Sequence, residues 1–227
     1  LDKEADAIEA AVKRVLKERP EFRVIVSSAT MNTQVFSEYF NNAPIVSIDT
    51  ITYPVTVIYD PIPGGATTTT ETGCESIIRK IANTVDRVLD NDDDGGILIF
   101  LPGEKIIKDC VDRLYHMPFG RKLHIVPLYG RLAKEEQEKV FEPAPAGKKK
   151  VVVSTNIAET SVTISDITTV IDSGLCKLNF YSPRTFTSSL IESTVSKASC
   201  NQRKGRAGRT HEGTCYRLYS RNDFETR

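Results

Sequence analysis

The sequence has no excess of either charge, since 30 lysines and arginines balance 30 aspartates and glutamates. A net charge of zero neither demands nor excludes a polyanionic partner, so any nucleic-acid site must be a local patch. The chain also lacks an apolar run near the roughly 20 residues of a membrane span, and its charged start does not resemble a signal peptide. These absences predict an intracellular globular protein, in the cytoplasm or nucleus, with no membrane partner.

The residue patterns of several common sites are also missing. The five cysteines are far apart, without a C-x-x-C pair, and the three histidines are scattered, so no zinc spacing occurs. We therefore expect free thiols and no metal ligands. No G-x-x-x-x-G-K-[ST] loop occurs either, so the chain lacks the usual cradle for nucleotide phosphates.

Apolar and amphipathic stretches alternate over most of the chain, which predicts an α/β fold. Strands are predicted at residues 97–101, 123–128, 151–154 and 168–171, and helices at 75–89, 104–115 and 132–141. Near-continuous apolar strands between amphipathic helices indicate a parallel sheet that is covered on both faces. The proline-, glycine- and threonine-rich residues 60–73 are expected to form a long surface loop.

The first 50 residues resemble the end of another α/β unit. The pattern predicts a helix at 2–19, a strand at 22–26, a short helix capped by Asn32 or Thr33, and a strand at 45–48. Near the other end, alternating segments at 175–181 and 186–195 flank a turn, which predicts a β-hairpin inserted into the fold.

The most informative stretch of the chain is residues 202–209, whose sequence is QRKGRAGR. Arginines three apart share one face of a helix, and the small residues between them let another surface approach. Planar guanidinium groups suit phosphate binding because they keep their charge and donate two parallel hydrogen bonds. The same composition also fits a solvated basic helix end, and composition alone does not decide between the two.

Residues 202–209 resemble motif VI of the DEAH/RHA family of superfamily 2 RNA helicases. Other stretches agree with the family in order: 28–30 with motif III, 97–103 with motif IV, 155–161 with motif V, and 172–174 with motif Va. The wording of motifs V and VI is similar to DEAH enzymes rather than DEAD-box ones. Residues 181–185 and 201–205 also look similar to bacterial HrpA-type members.

The resemblance implies a RecA-like fold, in which helices flank a parallel sheet that carries an inserted β-hairpin. Residues 1–50 would be the C-terminal part of a first RecA-like domain, and residues 51–227 the second. No DEAH tetrapeptide occurs, and in the family it and the phosphate loop lie upstream. The resemblance therefore implies a fragment of a longer enzyme, with a winged-helix region downstream.

The family's nucleotide-binding residues can be placed on this chain. Arg206 and Arg209 match its arginine fingers, which reach the γ-phosphate of ATP, and Gln202 matches the glutamine that helps position the phosphate and the attacking water. Such fingers stabilise charge on the transferring phosphoryl group. ATP and Mg²⁺ are thus implied for the whole enzyme, with neither held by this fragment alone.

Three further residues are implied on the nucleotide side. Thr163 matches a residue that contacts the nucleotide, and Phe141 matches the aromatic residue that stacks on the base, although it could equally belong to the core. Ser165 occupies the position where eukaryotic members commonly have an acid, and Asp166 lies one residue further on. This departure puts the local ribose and water contacts in doubt.

The RNA-binding residues implied by the resemblance are Thr155, Asn156, Gly103 and Arg184. The first two follow a strand, where hydroxyl, amide and N–H groups can meet backbone phosphates, and Gly103 precedes a helix whose free N–H groups could hold another. Each turn alone is also compatible with an ordinary strand-to-helix connection. Arg184 lies in the hairpin, which the family is thought to use to separate or guide strands.

The resemblance implies a fragment of an ATP-dependent RNA helicase that grips RNA and is inactive by itself. Ser28 and Thr30 match the motif that couples hydrolysis to domain movement. RNA, the neighbouring domains and an activator protein are the implied partners. The main alternative is a non-catalytic RNA- or protein-binding module of the same fold, which need not keep Arg206 and Arg209. A DNA or viral helicase is a further alternative, which the wording of motif V disfavours.

Overall fold

The computed structural model describes residues 3–19, 21–26, 33–46, 52–91, 94–182 and 187–227. The chain divides into two compact units, residues 1–50 and residues 51–227. In the described part of the first unit, two helices are present. The assignment of this unit to the end of a first RecA-like domain stays a prediction.

The helices of the described residues are α1 (Lys3–Glu18), α2 (Thr33–Tyr39), α3 (Glu71–Leu89), α4 (Glu104–His116), α5 (Lys134–Glu138), α6 (Ile157–Thr160), α7 (Lys197–Gly205) and α8 (Arg221–Thr226). The strands are β1 (Val55–Tyr59), β2 (Gly96–Phe100), β3 (Leu123–Leu128), β4 (Lys149–Ser154), β5 (Ile167–Asp172), β6 (Leu175–Ser182), β7 (Thr187–Thr194) and β8 (Gly213–Arg217). Short 3₁₀ turns span Gly120–Lys122, Lys139–Phe141 and Arg206–Gly208.

Six of the strands form one sheet in the order β1-β8-β5-β2-β4-β3, and every pairing in it is parallel. The predicted α/β fold with a parallel sheet is therefore confirmed. Each parallel step needs a crossover connection, and helices supply most of them. All carboxyl ends of the strands consequently lie at one edge of the sheet and all amino ends at the other.

Alternate residues of the central strands face two separate cores. On β2, Ile97 and Ile99 pack with the apolar side chains of α3 and α4, whereas Leu98 and Phe100 pack on the opposite face with residues such as Ala158 and Ala207. All four strand residues are 1% exposed or less. Burial on both faces explains why these strands are near-continuous apolar runs in the sequence.

The hairpin forms as predicted, from β6 and β7, which pair only with each other in an antiparallel two-stranded sheet. It begins after Gly174, whose φ of 72° lies in the left-handed region. A Cβ at this position would come within 2.6 Å of the Tyr219 ring. Glycine is therefore required where the chain leaves the main sheet.

Three predictions of secondary structure need correction. Residues 22–26 are described but form no strand, and Ile25 is 94% exposed rather than buried in a sheet. The loop predicted at 60–73 is shorter, since α3 already begins at Glu71, where the Thr70 side chain accepts a hydrogen bond from Gly73 N. The helix predicted at 132–141 is only α5 followed by a 3₁₀ turn. Of the strand predicted at 45–48, only residues 45 and 46 are described, and they form none.

All five cysteines are free thiols, and four of them are buried. Burial raises the pKa of Cys110 to about 12, so this thiol stays protonated and behaves as a small apolar side chain. Within the described residues, no helix combines the length and apolar character that crossing a membrane requires. The same residues contain no cluster of His, Cys, Asp and Glu that could hold a metal ion.

Candidate functional site

Three of the four residues assigned to RNA lie together at the carboxyl edge of the sheet. Thr155 and Asn156 directly follow β4, and Gly103 follows the neighbouring strand β2. The two turns begin side by side, since Leu101 N donates to Ser154 O at 2.9 Å. Because the two turns adjoin in space, they can contact successive phosphates of one nucleic-acid strand. Turns that lie far apart in the fold could not do so.

Neither turn at this edge supplies a side-chain cap to the helix that follows it. The Asn156 side chain is exposed and makes no capping hydrogen bond to α6. Gly103 likewise provides no side-chain cap to α4. Thr155 is half-buried and its N–H donates to Leu128 O at 3.1 Å, which ties the turn to β3. The turn after β4 is thus held in place while the Asn156 side chain is exposed.

The residues assigned to the nucleotide lie at the opposite, amino edge. Thr163 and Ser165 come just before β5, and Arg206 and Arg209 come before β8, which is the neighbour of β5 in the sheet. Direct contacts join the two segments: Arg206 Nη1 lies 3.5 Å from Thr163 Oγ1, and Thr210 Oγ1 donates to Ser165 O at 2.8 Å.

The prediction placed the three arginines of residues 202–209 on one helix, but only Arg203 lies on α7, and Arg203 and Arg206 are buried whereas Arg209 is exposed. Helix α7 begins at Lys197, where the Ser196 side chain accepts a hydrogen bond from Ser199 N, and it ends at Gly205. The chain then tightens into the 3₁₀ turn Arg206–Gly208, so Arg206 and Arg209 lie beyond the end of the α-helix. As a result each arginine has a different environment.

Arg203 is a structural residue, only 1% exposed. Its Nε donates to Glu159 Oε2 at 3.0 Å, its Nη1 donates to Asp172 Oδ1 at 2.8 Å, and the guanidinium lies 4.8 Å from the centre of the Phe100 ring. Burial alone would lower the pKa of Arg203, but the attraction and hydrogen bonds of Asp172, followed by those of Glu159, outweigh it and raise this pKa. The positive charge is therefore fully compensated inside the domain.

Arg206 is also buried, at 6% exposure, but its partners are backbone carbonyls rather than carboxylates. Its Nε donates to Glu159 O at 2.9 Å and its Nη1 to Val162 O at 3.1 Å, and Nη2 also contacts Glu159 O. Burial, with a smaller effect from the charge of Arg209, lowers the pKa of Arg206. The guanidinium keeps its proton even so, and its charge is not neutralised by a direct carboxylate partner.

Arg209 is exposed at the end of this turn, and Gln202 is half-buried in the last part of α7. Arg206 and Arg209 thus place two positive charges near each other at the amino edge, one held inside and one projecting. An incoming anion would relieve the repulsion between them. This arrangement fits a phosphate site better than it fits a uniformly solvated helix end.

The three small residues between the arginines, Gly205, Ala207 and Gly208, have different environments in the structure. A Cβ on Gly208 would lie 2.5 Å from Tyr53 O, and the Gly208 carbonyl accepts a hydrogen bond from Tyr53 N at 2.9 Å. Ala207 is fully buried in the core. The surface that approaches these two residues therefore belongs to the same unit, whereas a Cβ on Gly205 would meet nothing within 4 Å.

Asp166, which lies one residue after the position where eukaryotic family members commonly have an acid, forms a salt bridge within the domain. Asp166 accepts hydrogen bonds from the Lys150 ammonium at 3.1 and 3.3 Å, and Lys150 is 4% exposed. Lys150 Nζ also donates to Glu142 O at 2.9 Å. Asp166 therefore compensates a buried lysine, whereas the neighbouring Ser165 is exposed.

Phe141 is not a core residue, since 58% of its surface is exposed. It ends the 3₁₀ turn Lys139–Phe141, while its neighbour Val140 is fully buried and anchors the turn. Thr163 is exposed as well. An exposed aromatic ring on an anchored turn at the amino side of β4 is compatible with stacking on a base.

Three residues singled out from the sequence lie outside the described residues. These are Ser28 and Thr30, assigned to coupling, and Arg184, assigned to RNA binding in the hairpin. Their roles stay predictions.

Sequence reasoning missed a buried polar network around Asp172. The Asp172 carboxylate is fully buried and accepts hydrogen bonds from Arg203, from Gly174 N at 2.8 Å and from Tyr219 Oη at 2.8 Å. Burial raises the pKa of Tyr219, so its hydroxyl donates rather than ionises. A signal was present in the sequence: an aspartate directly after an apolar run and before a glycine marks a buried strand end.

Comparisons with known proteins agree with this structure. Residues 79–211 match the family described as "Helicase conserved C-terminal domain". The crystal structure of Escherichia coli DEAH/RHA helicase HrpB superposes with a TM-score of 0.82 at 31% identity, over 97% of this chain and 27% of that one. The fold is RecA-like. The chain belongs to the helicase conserved C-terminal domain family, as a second RecA-like domain of DEAH/RHA helicases.

Curated relatives carry helicase names. The chain is 50% identical over 222 residues to the ATP-dependent RNA helicase HrpA of Borreliella burgdorferi, covering 98% of this chain and 26% of that protein. It is 42% identical over 216 residues to HrpA of Escherichia coli (95% and 16% coverage), and 38% identical over 222 residues to the probable ATP-dependent RNA helicase DHX34 of Mus musculus (97% and 19%). The chain thus spans about a quarter or less of the length of these relatives.

Proposed function

We propose that this chain is part of an ATP-dependent RNA helicase in which residues 51–227 complete the ATP site from one side and hold the RNA backbone on another. The observation that carries the proposal is the separation of the two groups of residues. Arg206 and Arg209 stand at the amino edge of the sheet with Thr163, whereas Thr155 and Asn156 stand at the carboxyl edge beside Gly103. One rigid sheet can therefore link a phosphate site to a strand-binding site.

At the amino edge, the two arginines would act on the γ-phosphate of ATP bound to a first RecA-like domain. Arg209 projects from the surface and is free to reach across an interface, while Arg206 is already oriented by two carbonyls. Fixed positive charge at the point where negative charge develops stabilises the transition state without reorganisation. Gln202 would position the phosphate and the attacking water, Phe141 would stack on the base, and Ser165 would contact the nucleotide near Thr163.

Mg²⁺ would be held elsewhere in the helicase. The sequence contains neither a G-x-x-x-x-G-K-[ST] loop nor a DEAH tetrapeptide, and the residues that the structure describes form no cluster of metal ligands. The contribution of this chain is accordingly limited to charge stabilisation and positioning. Its partners would be RNA, the first RecA-like domain, a winged-helix region and an activator protein, inside the cell.

The isolated 227-residue chain should not hydrolyse ATP, because the groups that cradle phosphates and Mg²⁺ are absent from it. Phosphate release from pure chain, with ATP, Mg²⁺ and single-stranded RNA, should not exceed that of a buffer blank. A chain carrying Arg209→Ala provides the matched control for contaminating ATPases, since any contaminant would survive this change. Release that depends on Arg209 would contradict the assignment of the chain as half of a site.

In the helicase that contains this chain, single-stranded RNA should stimulate ATP hydrolysis, and the affinity for RNA should fall as salt rises, with slight sequence preference. Asn156→Ala should weaken RNA binding about tenfold, since one hydrogen bond to a charged phosphate is lost. Asn83→Ala is the control, because Asn83 is exposed on α3. Fluorescence anisotropy measures both variants; equal affinities would exclude Asn156 from the RNA site.

The alternative is a non-catalytic binding module of RecA-like fold. A module would keep the carboxyl-edge turns and would have no need for an exposed Arg209 next to Arg206. RNA binding without RNA-stimulated hydrolysis in the whole protein would favour this alternative.

A further inference from the structure

The hairpin of β6 and β7 stands apart from the main sheet, so its orientation needs a separate explanation. Its strands form a separate two-stranded sheet, and at its base Val195 N donates to Gly174 O at 3.0 Å. A lone two-stranded hairpin is marginally stable in water. A hairpin that acts mechanically on RNA must therefore be fixed by side-chain contacts to the rest of the domain.

Glu192 on β7 makes such a contact with the segment between β1 and α3. Its carboxylate accepts a hydrogen bond from Thr67 Oγ1 at 2.8 Å and another from Thr68 N at 2.7 Å, and it also contacts Thr68 Oγ1. The partners are more than 120 residues apart in sequence, at 124 and 125 positions. Hydrogen bonds to an ionised acceptor are stronger than neutral ones, and Glu192 is half-buried.

The segment that receives Glu192 is itself fixed. Thr69 N donates to Thr67 Oγ1 at 3.2 Å, and Cys74 Sγ contacts Thr68 O at 3.4 Å. A Cβ on Gly73 would lie 2.4 Å from Thr67 O, so the segment packs directly against the first turn of α3. Glu192 is thus attached to the body of the domain and not to a loose loop.

A second contact lies on the same face of the hairpin. Lys177 on β6 is the direct cross-strand neighbour of Glu192, and a Cβ on Gly103 would lie 3.2 Å from Lys177 Nζ. The base of the hairpin therefore lies against the turn between β2 and α4, which is one of the two proposed RNA turns. Any movement of the hairpin relative to the domain would disturb both contacts.

We propose that Glu192 is a positioning residue for strand separation: by holding the hairpin to residues 67 and 68, it fixes the hairpin relative to the RNA turns at the carboxyl edge. This inference rests on the proposed helicase function. A loosened hairpin would yield when a duplex is pulled against it, so ATP would still be hydrolysed but fewer base pairs would open for each ATP consumed.

The attachment itself can be measured on the 227-residue chain by hydrogen exchange, independently of any activity. In Glu192→Ala, amides of residues 189–195 should exchange about tenfold faster, because local opening no longer breaks hydrogen bonds to a charged acceptor. Thr67→Ala should have an effect in the same direction, and the double variant should exceed the larger single effect only slightly. Ser193→Ala is the control, since the one hydrogen bond of its hydroxyl within the described residues goes to the adjacent Thr194 O. Unchanged exchange in Glu192→Ala, or fully additive effects, would overturn the attachment.

The consequence is measured in the helicase that contains this chain. Glu192→Ala should keep RNA-stimulated ATP hydrolysis within about twofold and lower the base pairs unwound per ATP severalfold, which a general folding defect would not do. Glu192→Gln can still accept a hydrogen bond from Thr68 N, so its number of base pairs unwound per ATP should lie between those of the wild type and Glu192→Ala. An unchanged yield per ATP would overturn the positioning role. If the wild-type protein neither hydrolysed ATP nor unwound RNA, the helicase proposal would fail instead, while hydrogen exchange would still decide the attachment.

Discussion

Replacing Arg203 by methionine should lower the free energy of unfolding of residues 51–227 by about 3–5 kcal/mol, because it leaves the buried Asp172 and the half-buried Glu159 without their counter-charge. Asp172 is fully buried and Glu159 lies at the other end of the same guanidinium, with its second oxygen in contact with Ser199 Oγ. Methionine fills a similar space, so the loss reports charge compensation rather than a cavity. Urea denaturation followed by circular dichroism measures it.

Two variants make this prediction sharper. Arg209→Met changes an exposed arginine of the same segment and should alter stability by no more than about 0.5 kcal/mol. Adding Asp172→Asn to Arg203→Met should recover part of the loss, because a neutral amide still accepts from Gly174 N and the fully buried charge of Asp172 is removed, although Glu159 still lacks its counter-charge. A loss below about 1 kcal/mol for Arg203→Met would show that the network contributes little to stability.

The same arginine shows where sequence reasoning reaches its limit. Residues 193–211 contain five Lys or Arg and no acid, which suggests a solvated or phosphate-binding surface throughout. The counter-charges of Arg203 come from Glu159 and Asp172, 44 and 31 residues earlier in the chain. Local composition cannot reveal such partners, because only the fold brings α6, β5 and α7 together.

The central strands could be predicted because burial on both faces leaves a strong apolar signal; the bounds of β3 at Leu123–Leu128 are those predicted. The strands β1 and β8 were not recognised from the sequence. β8 ends in Arg217, which is 2% exposed and lies 4.0 Å from the centre of the Phe224 ring. A charged residue in a short segment masks a strand whose burial depends on aromatic residues from other elements.

The candidate site, like the fold, could be predicted from the sequence only in part. The motifs identified which residue types belong to the site, and the parallel topology then separates them, since Thr155 and Asn156 follow a strand and Thr163 and Ser165 precede one. The orientation of individual side chains could not be predicted. It depends on partners from distant parts of the chain: Arg203 is held by carboxylates and Arg206 by backbone carbonyls, whereas Arg209 is exposed.

That difference in orientation leads to distinct expected effects for the two proposed arginine fingers. In the helicase that contains this chain, Arg209→Ala should lower RNA-stimulated ATP turnover by about a hundredfold or more with nucleotide affinity retained, because a projecting finger acts on charge that develops in the transition state. The exposure of Arg209 implies that the folded domain loses little stability. Arg209→Lys should recover only part of the turnover, since an ammonium lacks the planar fork.

Arg206→Ala should combine a comparable loss of turnover with a loss of about 1–3 kcal/mol in stability, because the carbonyls of Glu159 and Val162 lose their donor inside the domain. Arg79→Ala, an exposed position on α3, should change neither quantity. Steady-state hydrolysis and thermal unfolding of the same preparations separate the two effects. Unchanged turnover in Arg209→Ala would favour the binding-module alternative. Equal destabilisation by Arg206→Ala and Arg209→Ala would mean that Arg209 also stabilises the folded domain and does not serve phosphate binding alone.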